Sequence, residues 1–124
     1  MEGGEAVRDL VGEMAGLLPE LEKTVGLKEV GARLKAGIET VEQASAWLSA
    51  KGGDPDSLAG AAAYLQLFGD VLGGAMLAKG ALADPARAPL ARIYSDHVLA
   101  TAPGRIAAVT AGADDLTAAT SLLG

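Results

Sequence analysis

The most constraining feature of this sequence is a nearly continuous apolar stretch over residues 58–83, which reads LAGAAAYLQLFGDVLGGAMLAKGALA. Before its last five residues, the only clearly polar side chains are Gln66 and Asp70. Asp54-Pro55 precedes the stretch and Asp84-Pro85 follows it. Asp is a favoured N-cap, and Pro fits the first position of a helix. Because the stretch is longer than a typical strand, it predicts one long helix, which must be surrounded by other helices or by lipid.

A membrane-spanning helix is the first alternative, because about 20 residues at about 1.5 Å each would cross a hydrocarbon core. However, Asp70 lies near the middle of the stretch, where a carboxylate costs about 2.5–3.5 kcal/mol. No aromatic belt or cluster of Lys and Arg flanks it. The sequence therefore favours the central helix of a soluble bundle, in which Gly69, Gly73 and Gly80 let another helix approach closely.

The whole chain is acidic, with a net charge of −6 and a pI near 4.6. Nucleic acid and anionic membranes repel an acidic surface, so neither is predicted as a partner. The chain has no cysteine, which excludes disulfides and thiolate chemistry and fits a reducing cytoplasm. The N-terminal residues MEGGEAVRD lack the features of a signal peptide. The length predicts a single domain over residues 1–124, in which residues 1–4 are expected to be a disordered edge.

Two amphipathic patterns precede the apolar stretch. From Val7 to Leu21 apolar residues recur at steps of three and four, which predicts a helix with one buried stripe. Pro19 predicts a stop or a kink in it, followed by a turn at 24–27. A second helix is predicted from Leu27 to Leu48, and the sequence Lys51-Gly52-Gly53 ends it.

Shorter patterns follow the apolar stretch. After a connector at 84–89, a third amphipathic run extends from Leu90 to Thr101, and Pro103-Gly104 breaks or bends it. Residues 106–112 continue a helical pattern, and Asp114-Asp115 predicts a cap for a short last helix ending at Leu123. No segment alternates like a strand. The predicted fold is therefore all-α, an antiparallel bundle of three to four long helices with a short C-terminal helix.

The sequence offers few residues for catalysis or metal binding. Carboxylate-bridged di-iron bundles need Glu-x-x-His pairs, whereas this chain has one histidine, His97, with Tyr94 three positions before it. A Ser-His-Asp triad would use His97 as its base. Asp96 does not face it, because adjacent helical residues point apart, so a triad would need a distant Asp, and the sequence disfavours it. His97 is expected on a helix surface or in an interface. The glycine-rich residues 69–74 lie inside a helix and follow no strand, which indicates packing and not phosphate binding.

Asp70 is the one carboxylate in the apolar part of the predicted central helix. It could be a buried acid with a raised pKa, which would mark a site. The alternative is a structural role, in which Asp70 pairs with Arg92, Arg105 or Lys79 or lies at the rim of the helix. The sequence favours the structural role.

Three segments together resemble one family. They are ASAWL at 44–48, AYLQLFGDVLGG at 63–74 and ARIYSDHVL at 91–99, and VTAGA at 109–113 also fits. In their order and spacing they are similar to the C-terminal helical extension of a subgroup of bacterial acyl-CoA dehydrogenases, over residues 4–118. The chain departs from the family pattern at Ala75 and Ile93, where the family often has aromatic residues, and in its short connector at 84–89.

The resemblance implies a C-terminal accessory domain of a larger flavoprotein of fatty acid metabolism. The parent oxidoreductase would form an α,β double bond in acyl-CoA, with a base that removes the α proton while FAD accepts a hydride from the β carbon. In the family, the catalytic glutamate, the flavin contacts and the acyl-CoA pocket belong to the upstream body. None of their motifs occurs here, so no catalytic, cofactor-binding or metal-binding residue is expected in this chain. The implied partner is the upstream flavin-binding body or another subunit of the same enzyme.

A stand-alone helical interaction module, such as a homodimer, is the alternative. In both cases the function depends on a protein partner, and a homo-oligomer is compatible with either. Candidates for an interface or for buried polar contacts are Asp70, His97, Arg92, Trp47, Tyr64 and Tyr94.

Overall fold

A computed structural model describes residues 2–51, 55–111 and 122, and this part of the chain is helical without strands. Its α-helices are α1 (Glu2–Ala15), α2 (Leu18–Lys23), α3 (Lys28–Lys51), α4 (Pro55–Ala83), α5 (Ala88–His97) and α6 (Ile106–Thr110). Short 3-10 turns occupy Pro85–Arg87, Leu99–Thr101 and Pro103–Arg105. The predicted all-α fold is confirmed, since α1, α3 and α4 are long helices of 14, 24 and 29 residues. The predicted last helix falls, except for Leu122, outside the described residues.

The central helix α4 has the ends that its flanking prolines predicted. It begins at Pro55 and ends at Ala83, and the Asp84 side chain then accepts a hydrogen bond of 3.1 Å from the N–H of Ala86. The predicted N-cap, Asp54, lies outside the described residues. α3 and α4 run antiparallel, since α4 starts four positions after α3 ends and Gly37 of α3 nevertheless lies against Val71, in the middle of α4.

The first amphipathic pattern is divided into two helices, and the division is earlier than predicted. α1 ends at Ala15, and α2 starts at Leu18 with Pro19 in its first turn. Pro19 therefore begins a helix and does not end one, because the first turn is where a missing N–H and a fixed φ cost least. α1 begins at Glu2, so residues 2–4, which were expected to be disordered, form its first turn, and residue 1 lies outside the described residues.

The core is aliphatic and rich in alanine, as the composition predicted. α4 packs against α2, α3, α5 and α6, and small side chains allow these helices to approach closely. The fully buried leucines are Leu21, Leu27, Leu34, Leu67 and Leu99. The remaining buried apolar side chains are Met14, Val30, Ile38, Val41, Ala44, Val71, Ala75, Ala78, Ala81, Ala91, Ala102 and Val109.

The glycines that allow close packing are mostly not the predicted ones. A Cβ built on Gly60 would lie 2.1 Å from the carbonyl oxygen of Val109, and one on Gly74 would lie 2.7 Å from the Leu99 side chain. Gly73, which was predicted, faces Tyr94 at 2.8 Å. The prediction is wrong for Gly69, which has open space around it, because that position of α4 faces no other element of the described chain.

The described part of the chain does not surround α4 on every side, contrary to the expectation from its composition. Residues Gly60–Ala83 form a helix long and apolar enough to cross a membrane by length and composition, a test that the core helices of soluble proteins also pass. Only 28% of its most apolar window is buried. The neighbouring helices therefore cover one side of α4 and leave an apolar face open.

Candidate interaction surface

The open face of α4 consists of the exposed residues Ala62, Leu65, Gly69 and Met76 and the half-buried Leu72, and the exposed polar side chain of Gln66 lies beside it. The residues of the face follow one another at steps of three and four, which places them on one side of a helix. Leu65 is 71% exposed and Met76 is 66% exposed, whereas soluble proteins rarely leave a run of large apolar side chains in water. Alternating steps of three and four are also the spacing by which one helix packs along another.

A groove between α1 and α4 adjoins this face. It encloses about 900 Å³ and shares Leu72 and Met76 with the open face of α4. Leu10, Met14 and Leu17 line its other side, so the groove is mainly apolar. Its charged residues, Glu13 and Lys79, are both exposed. A further pair of exposed apolar side chains lies on α5, which packs against α4: Leu90 (55% exposed) and Ile93 (58% exposed).

Asp70, on the covered side of α4, has a structural partner. Its Oδ2 atom lies 2.5 Å from Nη1 of Arg105, in a partly buried ion pair. Arg105 is one of the three partners that the sequence proposed, and the other two, Arg92 and Lys79, do not pair with Asp70. The ion pair fixes the last 3-10 turn, Pro103–Arg105, to the middle of α4. Asp70 is thus paired with one of the three cations that the structural interpretation named.

Tyr94 ties α5 to the same point of α4. Its hydroxyl donates a hydrogen bond of 2.8 Å to the main-chain carbonyl oxygen of Asp70. Burial raises the pKa of the Tyr94 hydroxyl, the negative charge of Asp70 raises it further, and Arg105 opposes the increase. The phenol therefore stays protonated and keeps donating at neutral pH. Gly73 makes this contact possible, because a Cβ there would lie 2.8 Å from the Tyr94 hydroxyl oxygen.

The other four predicted residues do not join this cluster through any hydrogen bond or ion pair among the described residues. His97 and Arg92 are exposed on α5. Trp47 is half-buried near the end of α3, and the Lys51 ammonium lies 5.3 Å from its ring centroid. Tyr64 is half-buried on α4 and packs against Phe68, with 6.1 Å between the ring centroids.

Sequence reasoning missed the open face of α4, because the sequence places its residues on one side of the helix but does not show that this side is open. Ala62, Leu65, Gly69 and Met76 share one side of the predicted helix. Because α4 is apolar on nearly all sides, its hydrophobic pattern does not distinguish the covered side from the open one. The buried hydroxyl of Ser95 was also missed, and nothing in the sequence pattern marked it.

The described residues offer no cluster suited to a metal ion, since no three His, Asp or Glu side chains converge. The glycine-rich part of α4 does not fit the phosphates of a flavin cofactor either. The glycine-rich residues 69–74 lie in the interior of α4, where the backbone N–H groups are used within the helix. The described residues do provide an apolar surface on α4, a helix whose opposite side is packed against its neighbours.

Comparison with known proteins agrees with the resemblance found in the sequence. The model of a family described as acetyl-CoA dehydrogenase C-terminal like matches residues 10–120. No curated protein and no solved structure matches the chain significantly. Because the match spans nearly the whole sequence, the chain belongs to the acetyl-CoA dehydrogenase C-terminal-like family.

Proposed function

We propose that this chain is the C-terminal accessory domain of an FAD-dependent acyl-CoA dehydrogenase and that it docks on the flavin-binding body through the open face of α4. The observation that carries the proposal is the exposure of Leu65 and Met76 on a helix whose opposite side is packed. Family membership supports a dehydrogenase body as the partner. An acidic, cysteine-free chain is consistent with our proposal that the enzyme works in the cytoplasm.

The chemistry of the reaction separates the role of the body from the role of this chain. In the proposed parent enzyme, FAD accepts the hydride from the β carbon of the acyl-CoA, and a base of the body removes the α proton. In this proposal the flavin site and the base belong to the body, and this chain supplies neither. The proposed contribution of this chain is to position the domain on the body. The contacts among Asp70, Arg105 and Tyr94 hold the covered side of α4, and the open face of α4 contacts the body.

The test is binding of this chain to the flavin-binding body of the same enzyme, produced separately and loaded with FAD. We expect Leu65→Glu and Met76→Glu to weaken binding by tenfold or more, because each would bury a carboxylate without a partner. Val25→Glu is the matched control, since Val25 is 94% exposed and lies outside α4. If Leu65→Glu and Met76→Glu bound the body as tightly as Val25→Glu does, the open face of α4 would not be the docking surface.

A second measurement addresses the accessory role itself. The purified chain is incubated with FAD, an acyl-CoA and a dye acceptor, and dye reduction is followed. We expect none. Turnover by this chain alone would contradict the accessory function, whatever the docking experiment shows.

A homodimer is the second candidate, because the spacing along the open face of α4 also suits a helix from another copy of the chain. Light scattering of the isolated chain at increasing concentration separates the two proposals. A dimer that Met76→Glu dissociates, together with no binding to the flavin-binding body, would favour the stand-alone module.

A further inference from the structure

A pocket of about 480 Å³ lies on another part of the molecule, between the start of α3 and the exposed side of α5. Gly26, Lys28, Glu29 and Val30 contribute to one wall, and Arg92 and Ser95 contribute to the other. Its volume is within the range of small-molecule sites. None of these residues belongs to the open face of α4.

The first turn of α3 brings free hydrogen-bond donors to this pocket. The N–H groups of Lys28, Glu29 and Val30 make no main-chain hydrogen bond, and the first bond of the helix is from Gly31 to Leu27. No described side chain caps them, since the nearby Thr24 hydroxyl donates instead to the carbonyl of Glu20. A long helix such as α3 carries partial positive charge at this end, where its free N–H groups favour an anion.

The charged side chains of the pocket also favour an anion. Both of its carboxylates are already engaged, because Arg33 binds Glu29 (2.6 Å) and Asp96. Arg92 and Lys28 form no ion pair with a described residue. The pocket lining thus holds two cations and two carboxylates, and Arg33, which lies beside the pocket and binds both carboxylates, brings the local charge to one positive charge in excess.

Ser95 provides an independent observation. It is 1% exposed, and its hydroxyl is the one buried side-chain polar atom of the described residues without a hydrogen-bond partner. Such a group is rare in folded proteins and requires an explanation. Because Ser95 lines the same pocket as Arg92, an anion bound there would give its hydroxyl an acceptor.

The loop before α3 leaves room for the arginine. Gly26 has a φ of +86°, and a Cβ there would lie 3.2 Å from Nη1 of Arg92. Glycine thus permits both the turn and the close approach of the guanidinium group, which can form two parallel hydrogen bonds with a carboxylate or a phosphate.

We propose that this pocket binds a small molecule through an oxyanion group, a phosphate or a carboxylate. The oxyanion accepts hydrogen bonds from the free N–H groups of α3, from Arg92 and from the Ser95 hydroxyl, and Lys28 adds positive charge. Val25, whose side chain is exposed at the pocket, supplies an apolar contact for the rest of the ligand. The proposal does not depend on the dehydrogenase assignment.

The test is titration of the purified chain with inorganic phosphate, with butyrate and with chloride at matched ionic strength. Binding is monitored by NMR through the amide resonances of residues 28–30. We expect saturable shifts with phosphate or butyrate and not with chloride. The preferred anion identifies the oxyanion class. Equal shifts with all three salts would reduce the effect to ionic screening and overturn the proposal.

Two variants and a control locate the site. Arg92→Gln should weaken anion binding by about tenfold or more, because a charged hydrogen-bond donor is lost. Arg87→Gln is the control, since Arg87 is an exposed arginine outside the pocket and should leave binding unchanged. Weakening of equal size in both variants would indicate a general charge effect and contradict the proposed site.

Ser95→Ala distinguishes binding from a structural role. Without anion, this variant should be as stable as the unmodified chain or more stable, because an unsatisfied buried hydroxyl is removed. With anion, it should bind several-fold more weakly. Unchanged anion binding by Ser95→Ala would remove the observation on which the pocket's assignment depends and would overturn it.

Discussion

Tyr94 makes a hydrogen bond that joins α5 to α4. Its hydroxyl bonds to the main-chain carbonyl of Asp70, which also accepts the ordinary hydrogen bond of the helix. We expect Tyr94→Phe to lower the free energy of unfolding by about 1 kcal/mol, the typical net value of a partly buried hydrogen bond. Urea denaturation followed by circular dichroism measures the change. An unchanged midpoint would show that the hydrogen bond contributes no net stability.

The same hydroxyl predicts a loss of stability at alkaline pH. The pKa of Tyr94 is raised in the folded chain, so the folded state holds this proton more tightly than the unfolded state does. The stability that it contributes is complete below the unfolded pKa of about 10 and is lost as pH rises through the higher folded value. Between pH 9 and the alkaline limit of folding, the unmodified chain should therefore lose more stability than Tyr94→Phe. Parallel profiles for the two proteins would contradict the linkage.

At the scale of the elements, two glycines of α4 predict opposite effects of the same substitution. Gly60→Ala should destabilise the fold by about 2 kcal/mol or more, because its Cβ would meet the Val109 carbonyl and force α6 away from α4. Gly69→Ala should stabilise the isolated chain by up to about 1 kcal/mol, because alanine favours a helix and nothing lies within 4 Å. Thermal unfolding of both variants measures the difference. If both substitutions shifted the unfolding temperature in the same direction, the described packing of α6 on α4 would be contradicted.

The helices were predicted from the sequence more completely than the packing between them. The apolar stretch and its prolines were enough for the bounds of α4, and the spacing of apolar residues was enough for the existence of α1, α3 and α5. The division at residues 16–17 was not predicted, since proline suits both the break after one helix and the first turn of the next. Which glycines face a neighbour was not predictable either, because that depends on the rotation of α4 within the bundle.

At the scale of the candidate sites, prediction was weaker for a physical reason. The pairing of Asp70 could be narrowed to three cations, because a carboxylate on an apolar helix requires a partner. The choice of Arg105 depended on the path of the chain after α5, where 3-10 turns at 99–101 and 103–105 fold the chain back onto α4. The Ser95 pocket joins residues more than 60 positions apart in the sequence, and no local pattern connects them.

At the scale of the whole molecule, the open face of α4 could meet protein or lipid, and the structure leads us to predict protein. Crossing a bilayer would separate α4 from α2, α3, α5 and α6, and it would place the Asp70 carboxylate in hydrocarbon without Arg105. The acidic net charge also opposes adsorption to anionic lipid.

We therefore expect the chain to purify without detergent and to stay out of the lipid fraction when it is floated with vesicles of phosphatidylcholine and phosphatidylglycerol. A protease-protected fragment spanning residues 60–83 in the vesicle fraction would contradict this prediction. Met76→Glu is the internal control, because it should remove any weak adsorption through the open face of α4 while the helix content remains unchanged.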